Sequence, residues 1–212
     1  MTEPRLIEAP VGGLVVRLRE PLDINGLHIL MLHGWSGDDK VMWVLQSVLP
    51  EDAFLVAARG INPLPMGGYQ WSSSPASTQV AFEDFAPAVA ALRTTLDALR
   101  RKHGFGESKP LLMGFSQGVA LAFAAARAGI AMAGIIALAG FVPSGDVERW
   151  DNFPVFWGHG THDEQVPIDR AREDVKRLLD ANVEVQYCEA DVGHKLGIEC
   201  TRGLKAWLRG HF

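Results

Sequence analysis

The chain is poor in cysteine: Cys188 and Cys200 are the only two in 212 residues. With no export signal to accompany them, both are expected as free thiols rather than a disulfide. An excess of positive charge is also missing. Twenty lysines and arginines stand against 25 aspartates and glutamates, for a formal net charge of -5. That balance excludes nucleic acid as the main partner. The one short basic run, Arg100-Arg101-Lys102, reads as a helix C-terminus, where cations suit the dipole. No apolar stretch follows Met1-Thr2-Glu3-Pro4-Arg5, so no signal peptide is expected and the location is expected to be cytoplasmic. The most apolar segment, Gly118 to Val142, is broken by Arg127 and Gly129 into halves too short for a bilayer. It predicts helix, turn and buried strand, with no integral membrane segment. Internal repeats, low-complexity tracts and domain boundaries are lacking too. With 48% hydrophobic and 21% charged residues, the chain is expected to form one domain over residues 1–212 with a substantial core.

What is present is a recurring alternation of apolar runs and helical patterns. Gly13 to Glu20 alternates as a partly exposed strand, and Asn25-Gly26 marks a turn. His28 to Leu32 runs apolar into the Gly-containing loop His33 to Asp38. Val41 to Val48 predicts a short helix ended by Pro50, and Ala53 to Ala58 a buried strand. Asn62 to Ser77 is a long loop, of a length that usually serves function. Asp84 is the expected N-cap of a helix with Pro87 in its first turn and a stripe of Phe85, Val89, Leu92, Leu96 and Leu99. Strands are expected near Pro110, within Ile130 to Val142, over Asn152 to Trp157 and over Val183 to Cys188. Ile168 to Ala181 is helical, with Ala171, Val175, Leu178 and Leu179 on one face, and a last helix carries Leu204, Trp207 and Leu208. Strands alternating with helices at this spacing predict an α/β fold with a parallel sheet.

The pattern converges on Gly114-Phe115-Ser116-Gln117-Gly118, a G-x-S-x-G pentapeptide between an apolar strand and an Ala-rich helix. A strand turning abruptly into a helix forces its flanking residues to be glycine and pushes the serine oxygen outward. A serine hydroxyl needs a histidine base, oriented by a carboxylate. Later strand exits offer Asp163 and His194 in the chain order Ser, acid, His. Asp146, Glu164 and Asp191 compete for the acid, and Asp163 is preferred for its place in Gly160-Thr161-His162-Asp163. Of the seven histidines, His28, His103 and His211 read as structural or solvated, and His33 as ordering its loop. A metal site from His159, His162 and Asp163 lacks a supporting ligand spacing, so no metal is expected. The backbone N–H groups of Trp35 and Gln117 are the expected oxyanion donors. Trp35, Tyr69 and Trp71 are the expected substrate-binding side chains, with Trp150 on a further wall. For Trp35 and Trp71, ordinary core packing is the competing reading.

Leu32-His33-Gly34-Trp35-Ser36-Gly37-Asp38, Gly114-Phe115-Ser116-Gln117-Gly118, Gly140-Phe141-Val142-Pro143, Gly158-His159-Gly160-Thr161 with Asp163 and Val166-Pro167, and Gly193-His194 together resemble the phospholipase/carboxylesterase family, which includes the acyl-protein thioesterases. The likeness runs from about residue 28 over most of the chain. It implies a single-domain, lidless α/β-hydrolase with a mostly parallel central sheet flanked by helices, working without a cofactor. Two departures stand out. Val119 replaces a usual third glycine, and Tyr69-Gln70-Trp71-Ser72 replaces a Trp-Phe-Asp-type segment. The expected activity is that of a serine hydrolase cleaving carboxylic esters of short to medium acyl chains through an acyl-enzyme. An acyl-protein thioesterase or lysophospholipase is the alternative, and a non-catalytic binding protein of the same fold is the reading from another class. A small-molecule ester is the expected partner, and a homodimer is compatible with the sequence.

Overall fold

The computed structural model describes residues 5–8, 13–20, 26–72, 74, 80–105, 108–146 and 153–212, with only the backbone for 5–8. Among them the strands are β1 (Arg5–Glu8), β2 (Val15–Arg19), β3 (His28–Leu32), β4 (Phe54–Ala58), β5 (Asn62–Pro63), β6 (Tyr69–Gln70), β7 (Leu111–Phe115), β8 (Gly134–Leu138), β9 (Val155–Gly160) and β10 (Val185–Ala190). β5 and β6 pair as a small ribbon. The other eight form one sheet in the order β1-β2-β4-β3-β7-β8-β9-β10. From β4 to β10 all neighbours run parallel, while β2 pairs antiparallel with β4 and β1 antiparallel with β2. The chain is therefore a mostly parallel α/β sheet, and β1 is an edge strand that sequence pattern did not announce.

β3 (HILML), β4 (FLVAA) and β8 (GIIAL) are buried at every position. Such unbroken apolar runs follow from covering both faces of a parallel sheet. Leu30, Leu32, Phe54, Val56 and Leu112 point to a layer shared with α1 (Ala86–His103), α2 (Gln117–Arg127) and α3 (Ile168–Asp180). Ile29, Met31, Leu55 and Met113 point the other way, onto α4 (Ile198–His211) and the 3-10 helix Val41–Val48. Among the described residues no helix is long and apolar enough to cross a membrane.

Several local expectations are corrected. Asp84 is not the N-cap. A 3-10 turn, Phe82–Phe85, precedes α1, and Asp84 Oδ2 accepts the Ala81 N–H at 2.8 Å, so the acid reaches back from the third position of a capping box. Leu179 is exposed, and the buried face of α3 is Ala171, Asp174, Val175 and Leu178. Asp174 is tolerated there because the Val142 N–H (2.8 Å), Arg170 Nε (3.0 Å) and Arg177 Nη1 (2.8 Å) all donate to it. The two cysteines are not free. β10 and α4 bring Cys188 and Cys200 to 5.6 Å between Cα atoms, and their sulfurs are bonded. The free-thiol expectation followed from compartment alone, which carries no information on proximity. The expected turn residue Asn25, the expected wall residue Trp150 and the expected strand start at Asn152 lie outside the described residues.

Candidate active site

The elbow is built by close approach. A Cβ on Gly114 would lie 2.4 Å from Val119 N, and one on Gly118 would lie 2.1 Å from Leu32 O. No side chain fits either place, so the strand can turn into α2 only with glycine there. Ser116 between them has φ 52° and ψ -117°, a conformation that costs roughly 1–3 kcal/mol and persists only when its surroundings hold it. The hold is visible: the Ser116 N–H donates to Leu138 O on neighbouring β8 at 2.9 Å.

The two other expected groups meet. His194, on the loop after β10, places Nδ1 2.7 Å from Asp163 Oδ2, on the loop after β9. The ring of Phe115, next to Ser116 in sequence, stands edge-on to His194 at 4.9 Å between centroids. Asp163 is buried, and its other oxygen, Oδ1, accepts the N–H groups of Gln165 and Val166, each at 2.9 Å. Both oxygens are thus committed, one to the backbone and one to the imidazole. The rival acid Asp146 is exposed, and its carbonyl accepts from Arg127. His159 lies under the acid. Its Nε2 is 2.8 Å from Val166 O and 3.4 Å from Asp163 Oδ2. Burial holds its pKa below the ordinary imidazole value, so it is a neutral donor there. His162 turns outward to Asp191 at 2.6 Å, so the two histidines diverge. Among the described residues no cluster suited to a metal ion occurs.

The expected oxyanion donors come from two segments that meet at the elbow. Gln117 opens α2, and Trp35 follows Gly34, whose added Cβ would stand 3.1 Å from Ser116 Cβ. Neither N–H has an acceptor among the described residues. His33 sets the peptide that carries one of them. The Gly60 N–H donates to its Nε2 at 2.8 Å, so Nδ1 bears the proton and donates to Gly34 O at 2.6 Å. That carbonyl and the Trp35 N–H are opposite ends of one planar peptide, so holding the first aims the second. His33 is fully buried, and burial lowers its pKa, which keeps this tautomer neutral.

Beside the elbow runs an apolar groove of about 510 Å³. Its walls include Trp35, Val41, Met42, Leu45, Phe115 and Leu196. Trp35 is 40% exposed and donates through Nε1 to Gln70 Oε1 at 3.2 Å. Tyr69 and Trp71 are not among the lining residues. Tyr69 lies under the Arg59 guanidinium at 4.6 Å, in the β5–β6 ribbon. Trp71 is wholly buried. Its Nε1 donates to His33 O at 2.8 Å, and its backbone N–H donates to Gln117 Oε1 at 2.9 Å. The 3-10 helix supplies the wall that sequence reasoning gave to the Asn62–Ser77 loop. Its only sequence signal was apolar residues at Val41, Val44 and Leu45, which read equally as a core-facing helix.

Compared with known proteins, residues 21–209 match the family model described as Phospholipase/Carboxylesterase. The chain belongs to the phospholipase/carboxylesterase family. Its fold is similar to the Bacillus cereus carboxylesterase, with 22% identity, a TM-score of 0.84 and coverage of 94% of this chain and 95% of that one. It is also similar to a carboxylesterase from Mesorhizobium loti, with 20% identity, a TM-score of 0.83 and coverage of 99% and 100%. Esterase PE8 is a further likeness, with 21% identity, a TM-score of 0.76 and coverage of 99% of both chains. These likenesses show that the chain has the α/β-hydrolase fold.

The departures from the family pattern have local explanations. Val119 is accommodated because its neighbour across the elbow is Gly140. A Cβ there would lie 2.4 Å from the Val119 side chain. Trp71 fills the space between the His33 loop and the start of α2, with its ring 4.8 Å from that of His33.

Proposed function

We propose that this phospholipase/carboxylesterase family member is a serine carboxylesterase for short to medium acyl chains. Ser116 Oγ attacks the ester carbonyl as His194 Nε2 takes its proton. Asp163 holds Nδ1–H and stabilises the imidazolium. The carbonyl oxygen becomes an anion held by the N–H groups of Trp35 and Gln117. Collapse expels the alcohol, protonated by His194, and leaves an acyl-Ser116. Water, deprotonated by the same histidine, then releases the acid. The observation that carries this reading is the 2.7 Å contact of His194 Nδ1 with Asp163 Oδ2, beside an elbow whose serine backbone is strained.

The acyl chain runs along the groove between Trp35, Leu45 and Leu196, where apolar walls favour alkyl groups. Each buried methylene adds about 0.8 kcal/mol until the groove ends. The reading keeps the protein in the cytoplasm, where a disulfide is usually reversible. The test is a panel of p-nitrophenyl esters of graded chain length, run beside fluorophosphonate labelling of Ser116. Efficiency rising from acetyl to medium chains, with labelling lost in Ser116→Ala, is expected. Highest efficiency on a palmitoyl thioester would transfer the protein to the acyl-protein thioesterase reading. Absence of labelling in folded protein would remove the enzyme reading altogether.

A further inference from the structure

We infer that the Cys188–Cys200 disulfide is a reducible clasp on the loop that presents His194, so that the oxidation state of this pair sets the rate of the enzyme. The inference rests on the reading of His194 as the base. Cys188 is in β10 and Cys200 is in the first turn of α4, with a sequence separation of 12. The span between them has no helix or strand from Asp191 to Gly197, so its shape depends on how its two ends are held.

Contacts of this span with the site arise inside the bracket. His194 Nδ1 meets Asp163 Oδ2 at 2.7 Å, and Val192 O accepts the His162 N–H at 3.0 Å. Leu196 lines the acyl groove and abuts β9, where a Cβ on Gly158 would stand 3.1 Å from Leu196 Cδ1. A covalent bond across the base of a short loop removes most of its alternative conformations. Opening that bond returns them to the segment that must hold an imidazole in register with Ser116.

The two sulfurs differ in access. Cys200 is fully buried, whereas Cys188 is only partly so. A thiolate of a dithiol reductant therefore attacks Cys188 Sγ. The S–S bond breaks, its electron pair leaves on Cys200 Sγ, and that sulfur takes a proton. The second thiol of the reductant then displaces Cys188 as a thiol and closes the reductant's own disulfide. Two electrons and two protons pass to the protein.

The experiment compares oxidised protein with the same protein held in a phosphine reductant, which does not thiolyse the ester. Two released thiols are verified by acid-quenched alkylation and intact mass. On reduction, kcat for p-nitrophenyl butyrate and the rate of Ser116 labelling should fall roughly ten- to a hundredfold, since a misplacement of about 1 Å can cost ~10²-fold. KM should change far less, and reoxidation should restore the rate. Cys188→Ala/Cys200→Ala should show the low rate and ignore the reductant. Amide exchange should rise within residues 191–197 and stay unchanged in β7 and α2. Full reduction with kcat unaltered would overturn the clasp. So would a fall in kcat accompanied by faster exchange across the whole sheet, which would make the bond a general staple. Oxidised protein that neither hydrolyses the ester nor labels at Ser116 would defeat the serine-esterase reading instead, and this inference with it.

Discussion

Replacing Asp163 by Asn tests the site through a single proton. Asp163 Oδ1 accepts two backbone N–H groups, from Gln165 and Val166 at 2.9 Å each, while Oδ2 faces His194 Nδ1 at 2.7 Å. An asparagine has one acceptor oxygen and one NH₂ donor. Turning the NH₂ toward the two N–H groups would set donors against donors and leave the buried Val166 N–H unsatisfied, at about 1–3 kcal/mol, with a smaller loss at the part-buried Gln165 N–H. The amide oxygen therefore stays on the backbone, and the NH₂ points at His194. His194 Nδ1 must then accept, so its proton moves to Nε2, the atom that has to take the proton of Ser116. The fold is retained but the base is in the wrong tautomer. A loss in kcat of about 10⁴ is expected, the size seen when such a carboxylate becomes an amide in a serine protease. The assay is kcat on p-nitrophenyl butyrate, with Tm as the control for folding. Asp146→Asn should leave kcat within about twofold, as expected of an exposed site away from special features. A folded Asp163→Asn protein within about tenfold of wild type would refute the argument, because tautomer loss of this kind costs far more.

Other expectations follow from the packing. Trp71→Ala should lower stability by about 3–5 kcal/mol, as for a large buried aromatic, and leave the chain-length optimum unchanged; a shift in a folded variant would put Trp71 back in the groove. Leu45→Trp should cut kcat/KM for hexanoyl and octanoyl esters while sparing acetyl, and equal loss across the series would show that acyl chains bind elsewhere. His33 and His159 should make the protein acid-sensitive. Burial lowers both pKa values below the ordinary 6.5, so between those folded values and 6.5 the unfolded chain binds more protons. Stability is then complete above about pH 6.5 and lost as pH falls toward the folded values. A Tm that stays flat from pH 7 to 5 would contradict this, and His33→Asn should reduce the slope.

What the sequence alone determined was whatever short-range sterics and periodicity dictate. Gly114 and Gly118 flank Ser116 because no Cβ fits beside Val119 N or Leu32 O, and that requirement is written into five consecutive residues. Apolar runs such as His28 to Leu32 and Phe54 to Ala58 announce strands covered on both faces, and hence the parallel sheet. The order of strand exits pointed to the loops holding Asp163 and His194. Tertiary structure decided whatever depends on which distant segments meet. Trp35 and Trp71 are the same residue type in two different loops, yet one stands at the groove and the other is buried under His33. Asp174 sits on a buried helix face because Arg170, Arg177 and the Val142 N–H converge on it. The 3-10 helix became a groove wall because the loop after β3 folds beside the elbow. Cys188 and Cys200 are bonded because α4 returns along β10. Periodicity records which face of an element is apolar but not what that face will meet, and that choice is made by the packing of the sheet as a whole.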